Sequence, residues 1–167
     1  MAIDKITTPA VTDDSVTSTG AGSPPAFEDA GGGTNSPNFH AFKADQTLNN
    51  TTWTKLGTFS ERYDNGGGFN TSNSWFKVPS GGAGVYFFNA SYRMENDSGS
   101  GFMKFYKNGS ANNDVVSEFH GSSYFSVVIN TTFTLSVNDY IELYAYINVG
   151  NTNGISNINF QGFKLIG

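Results

Sequence analysis

Few side chains in this sequence of 167 residues could carry acid–base or nucleophilic chemistry. Its two histidines are His40 and His120, and it has no cysteine, which excludes disulfides and thiolate metal sites. Nucleophilic catalysis needs a serine or threonine beside a base that a carboxylate orients. The glycine pattern of a nucleophile elbow flanks neither histidine, and the carboxylates are too generic in spacing to form an acid–base pair. We therefore predict no catalytic residues and a protein that is not an enzyme.

Oxygen-rich loops are the one metal option, because aspartate and asparagine supply the hard ligands that Ca²⁺ prefers. Such loops occur at residues 64–66, 96–98 and 112–114. Tight turns require the same residue types, so we favour turns here and expect no cofactor, with calcium as the open alternative. The three glycines at 66–68 are not followed by Lys and Ser/Thr, which argues against a phosphate-binding loop.

The composition indicates an acidic, aromatic-rich β protein. Charged residues make up 14% and aromatic residues 15% of the chain, with 20 glycines, which is typical of strands joined by many turns. A net charge of −5 without a basic run argues against a nucleic acid partner. No segment is apolar and long enough to span a membrane, and the first residues lack the apolar core of a signal peptide. We therefore expect no membrane partner and folding in a cytoplasm.

From residue 39 onward, short apolar and aromatic segments alternate with turn residues. Nine segments are predicted as strands: 39–44, 52–59, 74–78, 84–92, 101–107, 115–119, 124–134, 140–149 and 155–166. The segments between them are rich in Asn, Asp and Gly, which tolerate positive φ and form turns. This spacing predicts an antiparallel β-sandwich or barrel.

Residues 1–38 differ from the remainder and predict an extended N-terminal arm followed by a linker. Their second half is rich in Gly, Ser and Pro and cannot bury enough apolar surface to fold by itself. Four apolar side chains are nevertheless spaced along the first half: Ile3, Ile6, Val11 and Val16. We predict that these four anchor the arm on a partner, and that residues 39–167 form one globular head.

Two of the predicted strands, 84–92 and 140–149, are apolar or aromatic on both faces. A strand of this kind needs two partners to bury it. In a two-layer sandwich the second partner is most simply another subunit, with a loop folded over the face as the alternative. We therefore predict a subunit interface formed by five aromatic side chains of these strands: Tyr86, Phe88, Tyr140, Tyr144 and Tyr146.

The order of the aromatic residues resembles the signature of the C1q/TNF-like jelly-roll family. That signature is matched here by Phe59, Asp64 or Asn65, Phe69, Phe76, Gly84, Tyr86 and Phe88. The turn at residues 107–109, the segment 135–143 and the closing Phe-Gln-Gly-Phe strand at 160–166 resemble later parts of the family pattern. The chain departs from the pattern at Ala90, where an aromatic is usual, and at Asn138, where glycine is usual.

The resemblance covers residues 39–167 and implies an all-β fold, an antiparallel jelly-roll β-sandwich. It also implies a homotrimer in which aromatic strands face the three-fold axis. The signature residues that it places in the core are Phe59, Phe69, Phe76, Gly84, Phe160, Gly162 and Phe163.

The N-terminal leader, with its short Ile/Val-Thr-Asp phrases, resembles the start of many tailed-phage virion proteins. Together with the jelly-roll resemblance it favours a non-enzymatic structural protein, a homotrimeric capsid decoration (cement) protein anchored by its arm. The expected partners are further copies of the chain and virion proteins such as the major capsid protein. The expected location is the virion surface, after assembly in the host cytoplasm.

Two alternatives from other functional classes remain open. The first is a receptor-recognition module of a phage tail or fibre, whose loops at 96–101, 108–114 and 151–154 bind a host glycan or protein. The second is a secreted C1q/TNF-like signalling ligand, which the missing signal peptide and the missing collagen-like stalk disfavour.

Overall fold

The computed structural model describes residues 16–17, 26–27, 35–95 and 98–166 of the chain. The chain divides into two compact units, Met1–Thr34 and Asn35–Gly167. In the first unit, strand β1 (Val16–Thr17) pairs antiparallel with β2 (Ala26–Phe27). Three of the four predicted anchors, Ile3, Ile6 and Val11, lie outside the described residues. The fourth, Val16, lies in β1, where its backbone pairs with Phe27, a pairing that the sequence analysis did not predict.

The described residues of the second unit form eleven strands, most of them long. They are β3 (Asn38–Leu48), β4 (Thr54–Lys55), β5 (Ser60–Asn65), β6 (Phe69–Asn70), β7 (Trp75–Lys77), β8 (Gly84–Met94), β9 (Gly99–Lys107), β10 (Ser110–Gly121), β11 (Phe125–Leu135), β12 (Tyr140–Asn148) and β13 (Asn153–Ile166). Within the described part of the chain, no helix is long and apolar enough to cross a membrane.

The strands form two antiparallel sheets that face each other across one core. The five-stranded sheet has the order β11-β8-β13-β3-β5, and the six-stranded sheet has the order β10-β9-β12-β7-β6, with β4 also paired to β12. This arrangement confirms the predicted all-β sandwich. Strand β5 was not predicted, because its residues are almost all exposed at the sheet edge and show no apolar alternation.

The core is built mainly from phenylalanine rings. Phe160 lies at its centre and is fully buried, with five rings around it at centroid distances of 5.0–6.2 Å: Phe39, Phe59, Phe69, Phe88 and Phe105. Two of these pairs, those with Phe39 and Phe69, are T-shaped, the geometry that places a ring edge on a neighbour's face. Aromatic packing of this kind holds the two sheets together without a disulfide.

The signature residues divide between the core and its margins. Phe59, Phe69, Phe76, Phe160 and Gly162 are buried between the sheets. Gly84 is half-buried at the start of β8, and Phe163 is half-buried on the outer face of the five-stranded sheet.

Two residues that were predicted at a subunit interface belong to this core. Tyr86 and Phe88 are fully buried within the single chain, so neither can lose further exposure against a second subunit. The Tyr86 hydroxyl donates a hydrogen bond to the carbonyl of Gly82, and burial raises the pKa of Tyr86 to about 12. The interface prediction for Tyr86 and Phe88 is therefore wrong, because this face of β8 points toward the opposite sheet.

The turn before β12 is stabilised by an aspartate that accepts hydrogen bonds from three directions. Asp139 Oδ1 accepts a bond of 2.8 Å from the Asn108 side chain, and Oδ2 accepts one of 2.9 Å from the Ser136 N–H. The Lys107 ammonium lies 3.0 Å from Oδ2. Asn138 adopts a φ of 73° here, a left-handed conformation that asparagine tolerates better than most residues, which explains how it replaces the usual glycine.

Asp139 should make the stability of the fold pH-dependent in acid. Its hydrogen bonds, first that from Asn108 and then that from Ser136, lower its pKa to about 2, whereas an unfolded aspartate titrates near 3.9. A lowered pKa contributes stability that is complete above about pH 4 and is lost as the pH falls toward 2. We expect Asp139→Asn to lose less free energy of unfolding than the wild type between pH 5 and pH 2, measured by urea denaturation. Asp45→Asn, at an exposed position of β3, controls for the lost charge, and parallel profiles for the wild type and Asp139→Asn would contradict the assignment.

Candidate functional site

The outer face of the six-stranded sheet carries a continuous set of aromatic rings, named here the aromatic face. Residues alternate along β12, so that Ile141, Leu143, Ala145 and Ile147 are buried in the core while the residues between them point outward. The seven rings of the aromatic face are Trp53, Trp75, Phe102, Tyr106, Tyr140, Tyr144 and Tyr146, and each is half-buried in the single chain.

The register of β12 against β9 brings these rings together. Tyr146 lies opposite Phe102, and Tyr144 lies opposite Lys104; partners in a ladder share a face of the sheet. The closest ring pairs are Tyr106–Tyr144, with centroids 3.7 Å apart, and Trp75–Tyr140, at 4.4 Å. At the far end of β12, Tyr146 lies 5.4 Å from the Trp53 ring and 5.2 Å from the Phe102 ring. The result is a row of rings that follows β12.

Charged groups are set among the rings. Glu142, only 6% exposed, forms an ion pair with Lys55, whose ammonium also lies 5.4 Å from the Trp75 ring centroid. Burial raises the pKa of Tyr144, and the neighbouring Glu142 carboxylate adds to this effect. Paired charges of this kind do not require a ligand.

Lys104 is a second lysine on the aromatic face, and it is buried. It is only 9% exposed, and its ammonium lies 4.3 Å from the Trp53 ring centroid and donates a 3.1 Å hydrogen bond to Asn113 Oδ1. Among the described side chains, no carboxylate lies within ion-pair distance of it. Lysines are almost never this buried without a counter-charge, so Lys104 marks a place where an anion would be stabilised.

A hydrogen-bonded series of Ser100, His120 and Glu118 lies at one margin of the same sheet. The Ser100 hydroxyl is 2.7 Å from His120 Nδ1, and His120 Nε2 is 2.7 Å from Glu118 Oε1. These are the residue types of a catalytic triad. However, Ser100 is buried near the start of β9 and pairs with His120 on one side and Asn148 on the other. The adjacent backbone is therefore engaged in two ladders rather than forming an oxyanion hole. The series therefore links β9 to β10 without the arrangement that acyl transfer requires.

The five-stranded sheet presents a second outer surface. Its part formed by the uncharged residues Phe87, Asn89, Gln161 and Phe163 is named here the Phe87 face. The Phe87 and Phe163 rings lie 5.5 Å apart, and the Gln161 side chain donates a 3.3 Å hydrogen bond to Asn89 Oδ1. Beside them is an open cleft of about 290 Å³, which the exposed Tyr63 also lines.

The structure separates the five aromatic residues that were predicted at one interface. Tyr140, Tyr144 and Tyr146 lie on the aromatic face, packed against rings of their own chain, while Tyr86 and Phe88 lie on the inner side of the other sheet. Trp53, Phe102 and Lys104 were not predicted on the aromatic face; Phe102 and Lys104 reach it from β9, and Trp53 from the segment before β4.

The predicted loop at residues 64–66 uses its aspartate to build a turn. The two Asp64 carboxylate oxygens accept hydrogen bonds from the N–H groups of Gly68 (3.1 Å) and Phe69 (2.9 Å). Across the described residues, no group of three or more His, Cys, Asp or Glu side chains could hold a metal ion. Calcium stays the untested alternative, and nothing in this loop points to it.

Comparisons with known proteins support the fold. No protein-family model and no curated protein sequence matches the chain. Among solved structures, vertex protein P5 of phage PRD1 matches with a TM-score of 0.62 and 15% identity, over 80% of this chain and 99% of that one. Murine APRIL at pH 5.0 matches with a TM-score of 0.59 and 13% identity, over 77% and 98%. The globular domain of zebrafish complement 1qA matches with a TM-score of 0.54 and 20% identity, over 77% and 97%. At these identities the matches concern the fold alone, and they confirm the predicted C1q/TNF-like jelly roll.

Proposed function

We propose that this chain is a non-enzymatic structural protein of a tailed-phage virion, a homotrimeric decoration protein on the capsid surface. The observation that carries the proposal is the fold match to a phage vertex protein along 99% of that structure. The phage-like leader supports the same context. In this proposal the N-terminal arm binds a neighbouring virion protein such as the major capsid protein, and the jelly-roll unit supplies the trimer.

The Phe87 face is the better candidate for the trimer contact. The centre of a stable interface is usually depleted in charged residues and enriched in aromatic ones. Phe87, Asn89, Gln161 and Phe163 fit this description, whereas the aromatic face holds the Lys55–Glu142 ion pair and Lys104 near its centre. The earlier prediction that Tyr140, Tyr144 and Tyr146 form the contact therefore becomes the second candidate.

Deletion of residues 1–16 is expected to abolish incorporation into particles while leaving a soluble trimer. The arm would bind through its spaced apolar side chains, and three arms on one trimer would strengthen weak individual contacts through effective concentration. Incorporation is measured by co-sedimentation of the purified protein with particles that lack it. A finer variant replaces the four apolar anchors with serine: Ile3, Ile6, Val11 and Val16.

Light scattering provides the control for this experiment. Wild type and serine variant should both show a mass of about 54 kDa, three times the 17.9 kDa of the chain. A wild-type mass of 17.9 kDa would contradict the trimer. Undiminished co-sedimentation of the deletion variant would contradict the arm's role.

A further inference from the structure

We infer that the aromatic face binds a linear acidic saccharide, with Lys104 as the group that receives an anionic substituent of the sugar. This inference goes beyond the proposed function and does not depend on it. It assigns a ligand class to the face that is only the second candidate for the trimer contact.

Charge complementarity is the first argument. Lys104 is a buried lysine, with only 9% of the residue exposed. Its ammonium is held by the Trp53 ring and by the Asn113 amide oxygen, and by no carboxylate among the described side chains. A buried cation without a counter-charge is costly, and an anionic ligand would remove that cost. The adjacent Glu142 offers no competing acceptor, because it is already paired with Lys55.

The composition of the face is the second argument. The large side chains that point outward here are mainly aromatic, from Trp53 through Tyr146, with Val116 opposite Lys104 as an aliphatic neighbour. The core side of the same β12 strand is aliphatic. Aromatic rings carry a negative charge distribution over their faces, which complements the slightly positive C–H hydrogens on the flat side of a pyranose ring. The tyrosine hydroxyls and the Asn113 side chain add hydrogen-bonding groups that suit sugar hydroxyls.

The dimensions of the face are the third argument. The row of rings follows β12 from Tyr140 to Tyr146, a distance of about 20 Å at the rise of an antiparallel strand. The row is open along its length rather than enclosed. Such a surface suits a short linear oligosaccharide better than a single sugar ring or a compact cofactor, which would need a deeper cavity.

Intrinsic fluorescence gives a direct test on the unmodified full-length chain. The protein has two tryptophans, Trp53 and Trp75, and both lie on the aromatic face. Tetragalacturonate, a linear acidic sugar, is expected to change the fluorescence saturably, and neutral maltotetraose to bind at least ten-fold more weakly. Raising the salt concentration from 50 to 500 mM should weaken tetragalacturonate binding and leave maltotetraose binding unchanged, because salt screens the charge contact.

A charge-removing substitution separates the role of Lys104 from that of the rings. Lys104→Met keeps the length and burial of the side chain, and is expected to reduce tetragalacturonate affinity at least ten-fold, to the level of maltotetraose. Lys164→Met, which removes a lysine from the other sheet, should leave the affinity unchanged. If Lys104→Met shows no cooperative thermal transition and so does not fold, the salt dependence of tetragalacturonate binding to the wild type tests whether a charge contact contributes to the affinity.

Several outcomes would overturn the inference. These are no fluorescence change with tetragalacturonate, equal affinity for the acidic and neutral sugars, or tighter binding of a dT8 oligonucleotide. If the fluorescence changes with protein concentration in the absence of sugar, and the mass measured by light scattering rises at the same time, the aromatic face forms contacts between copies of the chain.

Discussion

Replacement of Phe88 with alanine is expected to lower the free energy of unfolding by about 3–5 kcal/mol. The side chain is fully buried, and its ring contacts six others at centroid distances of 5.6–6.2 Å: Phe39, Phe76, Tyr86, Phe105, Phe133 and Phe160. Alanine would leave a cavity among rings that belong to both sheets and cannot easily collapse. Guanidinium denaturation followed by circular dichroism measures the loss. Phe88→Leu, which preserves more volume, covers the case in which alanine prevents folding.

The matched control is Phe119→Ala, which removes the same side chain from an exposed position. Phe119 lies on β10, is 47% exposed, and has one described ring contact, with Phe125 at 5.4 Å. Exposed positions usually change stability by about 0.5 kcal/mol or less. If Phe88→Ala lowered the assembled mass while leaving the stability of the fold unchanged, Phe88 would belong to a subunit contact and the core assignment would be wrong.

Phe88 also shows what the alternation of side chains along a strand can and cannot predict. The alternation in segment 84–92 correctly groups Tyr86 with Phe88 and Val85 with Phe87, because successive side chains of a strand point to opposite faces. It does not tell which group faces the opposite sheet when both groups are apolar. That choice depends on where β7, β9 and β12 pack, which is a matter of tertiary topology. The core pattern of β12 was easier to predict, since its inner face is purely aliphatic.

The aromatic face illustrates a second limit of the sequence. The tyrosines of β12 stand out as a group because they alternate within one strand. Trp53, Phe102 and Lys104 join them only through the pairing register of separate strands, and alternation alone does not specify the register between two strands. The buried state of Lys104 was beyond prediction for the same reason, since it depends on a ring from one segment and an amide from another.

Substitution of Gly162 with alanine is expected to destabilise the fold by about 1–3 kcal/mol, the usual cost of overpacking a core. A Cβ atom at this position would lie 2.6 Å from Phe88 Cδ1 and 3.0 Å from Phe39 Cε1. Neither ring can move freely. Phe39 stacks on Phe69 and Phe76 at centroid distances of 5.0 Å, and Phe88 is packed against other rings of the core. The closing Phe-Gln-Gly-Phe strand therefore needs glycine at position 162 because two rings approach the β13 backbone there, and not because the backbone adopts a positive φ.

Gly154→Ala is the matched control, because Gly154 lies in the same strand and a Cβ atom there meets nothing within 4 Å. Both substitutions reduce the conformational entropy of the unfolded chain equally, so the difference between them isolates the clash. We expect Gly154→Ala to be neutral or slightly stabilising in guanidinium denaturation and Gly162→Ala to unfold at a clearly lower concentration. Equal midpoints for the two variants would show that the rings can retreat from β13, and would contradict a tightly packed contact between Gly162 and the aromatic core. If the double variant Gly162→Ala/Phe88→Leu loses less stability relative to Phe88→Leu than Gly162→Ala loses relative to the wild type, the clash lies at Phe88. Leucine carries no ring atom at that point of contact.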